Sequence, residues 1–343
     1  MKQWEQWLVG AILLSSAPAF AVVNGTDVDW SKQDNVIRLE AESNEKQYCS
    51  GTIIAGKYVL TAAHCLKSSI DKVVGVSFNT SIVKSDRHPS YVEGEYGYDI
   101  AILNLKEQVP NTHTFYFANL NRNIFNEDEN IEIIGFGGNA KPSIASMALI
   151  ERHLNPIDRI DAKQINLSHT TGGDSGGAWI NSVKEIIATH SGAYFDVNSE
   201  RLTYATNLHY AKDFLLETID GWHYPTVVKT QNGKATVKIQ SLHVNGIAPN
   251  ASVTGDVMLT GGTCETTGVL TAFQTCTYEI ETANDNVKGQ LVLSEQEMID
   301  VNPASESGGS GESSGGSGSS GGSLGWLGLL ALFGLGARRE IWR

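Results

Sequence analysis

Gly173-Asp174-Ser175-Gly176-Gly177 sets a serine in a tight turn flanked by glycines. The backbone N–H groups of Gly173 and Ser175 can converge there on an oxyanion forming beside the hydroxyl. A serine that attacks an amide carbonyl needs a base to take its proton and a third group to hold that base in the right tautomer. Two other segments supply these. Thr61-Ala62-Ala63-His64-Cys65 ends an apolar strand with a histidine, and Tyr98-Asp99-Ile100-Ala101-Ile102-Leu103 puts one carboxylate at the head of an otherwise apolar strand, where a buried charge without a partner would be costly. Each segment alone has an ordinary explanation, as a cap, a packed ring or a plain turn. Their joint appearance in the order His64, Asp99, Ser175 points to hydrolysis through a serine nucleophile.

Positioning three residues so far apart in sequence requires a framework with many short elements. Residues 22–223 read as a succession of short apolar strands, among them 51–54, 59–62 and 131–134, separated by polar turns. Residues 209–219 break that pattern, with Tyr210, Phe214, Leu215 and Ile219 at helical spacing, so one amphipathic helix closes this first, all-β domain. A second β-rich stretch, 224–302, carries expected strands at 226–229, 235–240, 252–259, 276–281 and 290–293 and suits a small β-sandwich. It holds no catalytic constellation. The four cysteines form two local pairs, Cys49 with Cys65 and Cys264 with Cys276, the second able to staple a hairpin in a domain with a small core.

The ends of the chain read differently from the middle. Lys2, the apolar run 7–14 and the small residues ending in Ala19-Phe20-Ala21 make residues 1–21 an export signal, with Ala17-Pro18-Ala19 as a second cleavage site. Export makes disulfides reasonable. Residues 303–323 are almost pure Ser and Gly, the composition of a flexible linker. Residues 324–343 form a short apolar segment followed by Arg338 and Arg339, the flank of a membrane stop. A net charge of -13 repels phosphate backbones and argues against nucleic-acid binding. The nine histidines show no metal-ligand spacing, so neither metal nor other cofactor is expected.

The three segments together resemble the chymotrypsin or trypsin family of serine peptidases over residues 22 to about 219. Further residues fit that family: Gly135-Phe136-Gly137 is similar to its Gly-Trp-Gly strand end, Tyr204 to the start of its last strand, and Cys49 with Cys65 to the disulfide beside the histidine loop. The resemblance implies two six-stranded β-barrels with the site between them, His64 and Asp99 from the first and Ser175 from the second. Val22-Val23-Asn24-Gly25 resembles the mature N-terminus whose new ammonium pairs with the Asp before the nucleophile, here Asp174. Cutting after Ala21 would create that terminus directly, so signal removal and activation would be one event.

Substrate preference is read from the segments around Ser175. Trypsin-like members carry an Asp six residues before the nucleophile, where this chain has His169. Thr170 and His190 resemble the glutamyl endopeptidase branch, in which a hydroxyl and an imidazole grip a substrate carboxylate, so cleavage after Glu or Asp is expected, with cleavage after Lys or Arg or a broad preference as alternatives. Ser191-Gly192-Ala193 replaces the family's Ser-Trp-Gly substrate-pairing strand, and Thr171 stands where a Cys is common. The tail from Gly321-Gly322-Ser323 resembles Gly-Gly sorting signals of Gram-negative bacteria, which implies type II secretion and a rhomboid-like sorting protease as partners. A trypsin-like domain followed by an immunoglobulin-like one is similar to Vibrio-type secreted proteases. The competing reading is a surface binding protein that keeps a protease-like scaffold.

Overall fold

Apolar side chains recur at every second position in strands Asn130–Gly135 and Ser143–Ile150. Ile131 and Ile133 of the first and Ala145, Met147 and Leu149 of the second are all buried, as the two-residue period of a pleated strand demands. The computed structural model describes residues 22–41, 46–67, 69–151 and 157–304. The export signal, nearly all of the Ser/Gly linker and the apolar tail lie outside the described residues.

Two closed antiparallel barrels of six strands each follow from this patterning. The first contains Val36–Ala41, Lys46–Ile54, Tyr58–Thr61, Lys72–Val74, Asn79–Arg87 and Ala101–Leu105 around a core of Ile37, Leu39, Ile53, Val59 and Leu103. The second contains Asn130–Gly135, Ser143–Ile150, Arg159–Gln164, Ala178–Ile180, Glu185–Phe195 and Arg201–Asn207. The helix Leu208–Ile219 then packs Leu208, Ala211, Leu215 and Ile219 inward. Asn207 caps its start, accepting from His209 N–H at 3.1 Å. This is the chymotrypsin-like fold. One detail differs from the sequence reading: the last barrel strand begins at Arg201, and Tyr204 lies in its middle.

Residues from Trp222 onward form two further four-stranded sheets. The expected strand over 252–259 is interrupted at Asp256, and its halves, Ser252–Gly255 and Val257–Gly261, pair in different sheets. Gly255 has φ +71, and a Cβ there would lie 2.7 Å from the Lys288 carbonyl, so the crossing point needs glycine. Cys264 and Cys276 are joined, tying the turn after one strand to the next. All described residues through Pro303 belong to one compact unit.

The junction between these sheets and the barrels joins a shared apolar core, with Phe117 beside Phe273, to buried polar groups that meet backbone. Gln240, 1% exposed, accepts from Phe117 N–H at 2.9 Å and donates to the Phe117 and Phe273 carbonyls at 2.7 and 3.0 Å. Strand Tyr116–Phe117 pairs in parallel with Glu185–Phe195 on one side, and the Gln240 amide takes the place of a strand neighbour on the other. His223 accepts from Ala55 N–H at 3.1 Å on Nδ1 and reaches the Phe115 carbonyl at 3.0 Å with Nε2, which fixes the neutral Nε2–H tautomer. Replacing Gln240 by Leu leaves the buried Phe117 and Phe273 groups unpaired. A loss of about 2–3 kcal/mol is expected in urea unfolding, with the Phe117 amide losing hydrogen-exchange protection.

Candidate active site

Ser50 carries the join between the two barrels at the Ser175 turn. Its N–H donates to the Ser175 carbonyl at 2.8 Å, its hydroxyl donates to the Gly173 carbonyl at 2.8 Å, and the same hydroxyl accepts from Phe136 N–H at 3.1 Å. Thr61 Oγ1 donates to the Ser50 carbonyl at 2.9 Å. Gly176, at φ +84, lies so close that a Cβ would stand 2.3 Å from the Ser50 carbonyl oxygen. Gly173, at φ +102, would place a Cβ 2.6 Å from Gly138 N. Both glycines of the turn are therefore dictated by backbone conformation and by close approach. Nothing in a lone Ser beside Cys49 signals contact with Phe136 and Gly173, 86 and 123 positions away, so sequence reasoning misses Ser50.

His64 stands on the short 3-10 turn Ala63–Lys67, which the Cys49–Cys65 disulfide ties to strand Lys46–Ile54. Asp99 lies just before strand Ala101–Leu105, which pairs with Tyr58–Thr61 and so brings the carboxylate under the histidine. Asp99 Oδ2 lies 2.7 Å from His64 Nδ1, and Asp99 Oδ1 accepts from His64 N–H at 2.8 Å. The His64 side chain is 32% exposed and the Asp99 side chain 7%, so the imidazole faces outward with its carboxylate shielded behind it. Burial alone would raise the Asp99 carboxyl. The His64 ring and backbone N–H outweigh it and hold the group below the usual carboxylate range, with a contribution from the Ser191 hydroxyl, which stands outside close hydrogen-bonding geometry. With Nδ1–H committed to Asp99, Nε2 of His64 is left as the basic nitrogen.

The backbone before Asp99 is clamped from the second barrel. Tyr98 has φ +51, the left-handed region, and its N–H donates to Asp158 Oδ2 at 2.5 Å. Asp158 is fully buried and its carboxyl is raised, chiefly by desolvation. A third buried carboxylate, Asp174, accepts from Thr171 N–H at 2.7 Å on Oδ2, and the Gly137 N–H also acts on it, although Oδ1 makes no hydrogen bond of close geometry. Desolvation pushes Asp174 up to about 7. Gly135 is required beside it, since a Cβ there would meet Asp174 Oδ1 at 2.2 Å. Val22 is 0% exposed, and Val23 pairs through its backbone with His169 at 3.0 Å in both directions.

A family model described as trypsin matches residues 22–215, more than half of the chain. The chain belongs to the trypsin family. It is 33% identical over 108 residues to a chymase of Mus musculus, covering 28% of this chain and 44% of that protein. It is 36% identical over 101 residues to chymotrypsin-like elastase family member 1 of Bos taurus, covering 25% and 38%. It therefore spans less than half the length of these curated relatives. Among solved structures, the Vibrio cholerae VesB protease aligns over 82% of this chain and 98% of that one, at 18% identity and a TM-score of 0.48.

Within this trypsin-family chain the expected pocket residues separate into two kinds. Thr170 and His190 are each 1% exposed, whereas the His169 ring turns back toward the Leu167 carbonyl, 3.3 Å away, at the surface. His190 Nδ1 accepts from the Trp179 indole at 3.4 Å, which leaves its proton on Nε2. Desolvation lowers the His190 ring to about 3, so it is neutral at physiological pH and offers a donor without a charge. Ser191-Gly192-Ala193 lies within strand Glu185–Phe195, with a register irregularity between His190 and Gly192. A Cβ at Gly192 would lie 2.9 Å from the Tyr204 hydroxyl, so Tyr204 covers the face that a larger residue at 192 would take. Replacing Asp99 by Asn leaves the fold intact but favours the wrong His64 tautomer. A fall in kcat of about 10³–10⁴-fold with little change in KM is expected from steady-state kinetics on a chromogenic peptide.

Proposed function

We propose that this chain is an exported serine endopeptidase that cleaves after acidic residues. Ser175 Oγ attacks the scissile carbonyl, His64 Nε2 takes the hydroxyl proton, and Asp99 stabilises the imidazolium that forms. The N–H groups of Gly173 and Ser175 receive the oxyanion. His64 then gives the proton to the leaving amine, and water repeats the cycle on the acyl-enzyme. The observation that carries this reading is the double hydrogen bond from His64 to the buried Asp99, at 2.7 and 2.8 Å, opposite a glycine-flanked serine turn held by Ser50.

The preference for Glu or Asp is supported by three features. No carboxylate stands six residues before Ser175 to attract a basic side chain, the Thr170 hydroxyl is buried without a partner, and His190 presents an Nε2–H donor. Proteins or peptides are the substrates. Export rests on the leader 1–21, and type II secretion with rhomboid-like removal of the tail rests on the Gly-Gly segment and Arg338-Arg339. Residues 224–302 serve as a spacer or docking module beside the peptidase.

Activation is proposed to follow from cleavage after Ala21. The lack of a close hydrogen bond at Asp174 Oδ1, the burial of Val22 and the glycine at 135 together describe a seat for a new ammonium group. Unfolded, Asp174 titrates near 3.8; in the folded, unprocessed chain it titrates at about 7. The folded precursor therefore binds more protons in that window and loses stability as pH rises through it. An ammonium at Val22, protonated below about pH 8, removes this penalty. In a Ser175→Ala background the gain in Tm on removing residues 1–21 is expected to be larger at pH 7 than at pH 4. N-terminal sequencing of active enzyme should read Val22, and any other first residue would refute the coupling of export to activation.

A mixed peptide library cleaved by the Val22 form, with Ser175→Ala as control, tests the reaction. Cuts after Glu or Asp that vanish in the control are expected. Cuts after Lys or Arg would keep the mechanism and discard the acidic preference, and no cuts would favour a binding role.

A further inference from the structure

Arg201 begins the last barrel strand and points at the segment that precedes the nucleophile. Its Nη2 donates to the Thr170 carbonyl at 2.7 Å, and its guanidinium lies 5.7 Å from the centre of the Phe195 ring. Its Nε is buried with no hydrogen-bond partner, and no carboxylate pairs with it among the described residues. Thr203, two residues along the same strand and therefore on the same face, has a buried hydroxyl that is likewise unpartnered, as does Thr170. Arg201, Thr203 and Thr170 each keep hydrogen-bonding capacity that no protein group uses and that a polar ligand or water can take up. Since His190 is neutral, the permanent positive charge beside Thr170 comes from Arg201, which is close enough to His190 to act on it electrostatically.

We infer that Arg201 is the specificity-determining cation of this site, pairing with the carboxylate of a Glu or Asp side chain in the residue before the scissile bond, while Thr170 and Thr203 hydrogen-bond the same group. Guanidinium geometry suits this role. One Nη is spent on the Thr170 carbonyl, which fixes the plane of the fork, and the Nε–H remains for a substrate oxygen. The inference rests on the acidic preference proposed above and names the residue that creates it.

The test compares the processed enzyme with Arg201→Gln and Arg201→Lys on two isosteric peptides differing only in Glu or Gln before the cut, and on a third with Lys there. Wild type is expected to favour Glu over Gln by about 100-fold in kcat/KM, the scale set by leaving a charged pair half made. Arg201→Gln should bring that ratio to within about 3-fold of unity, and Arg201→Lys, which retains the charge, should restore at least about 10-fold. A Glu preference that survives in Arg201→Gln overturns the inference while leaving the acidic reading standing. Equal losses on the Glu and Gln peptides in both variants assign Arg201 a purely structural role and also overturn it. A wild type that favours the Lys peptide overturns the acidic reading itself, and this inference with it.

Discussion

Ser175 lies in the second barrel and His64 with Asp99 in the first, so the proposed site exists only while the barrels hold one register. Ser50 sets that register. With its N–H on the Ser175 carbonyl and its hydroxyl between Gly173 and Phe136, one small residue of the first barrel determines where the Ser175 turn of the second can sit. The turn can approach so closely only because Gly176 has no side chain to meet Ser50 and Thr61. On the other flank, Asp158 of the second barrel holds the left-handed Tyr98 peptide of the first, and so sets the backbone that presents Asp99. Two reciprocal clamps thus place His64, Asp99 and Ser175 relative to one another.

Charge around the site is distributed by burial. Asp99 keeps its ionised form because two hydrogen bonds from His64 more than offset desolvation. Asp174 has one oxygen bonded and one without a close hydrogen bond, and is pushed up instead. His190, enclosed beside Trp179, stays neutral. The His64 ring and backbone N–H outweigh the desolvation of Asp99, whereas the Thr171 and Gly137 N–H groups do not outweigh that of Asp174.

The sheets after Trp222 are joined to the barrels through amide and imidazole groups that complete unpaired backbone. Gln240 satisfies Phe117 from both sides, and His223 bridges Ala55 and Phe115. Asn111 N–H donates to the Thr226 hydroxyl and Val227 N–H to the Asn111 carbonyl across the same junction. Because Asn111, Phe115 and Phe117 lie on the segment between the barrels, the later sheets also brace that connection, while Ala55 ties them to the first barrel.

Much of this was legible in the chain itself. The order His64, Asp99, Ser175, the glycine-flanked turn, the alternating apolar strands and the amphipathic helix after Asn207 are local patterns, and local patterns are written in consecutive residues. Two local cysteine pairs were legible for the same reason. What tertiary structure alone decided depends on groups distant in sequence meeting in a medium of low dielectric. His190 could be read from the sequence as an imidazole for an acidic substrate, but only burial shows that the ring is neutral. Tyr204 looked like the start of a strand that in fact begins at Arg201, and only the fold turns that arginine onto Thr170, 31 residues before it. Ser50 and Asp158 carry no motif, since the meaning of each comes wholly from the backbone it meets across the barrel interface. Residue type and spacing determined which chemistry is possible, while packing decided which of those groups remain charged, bare or paired when the chain is folded.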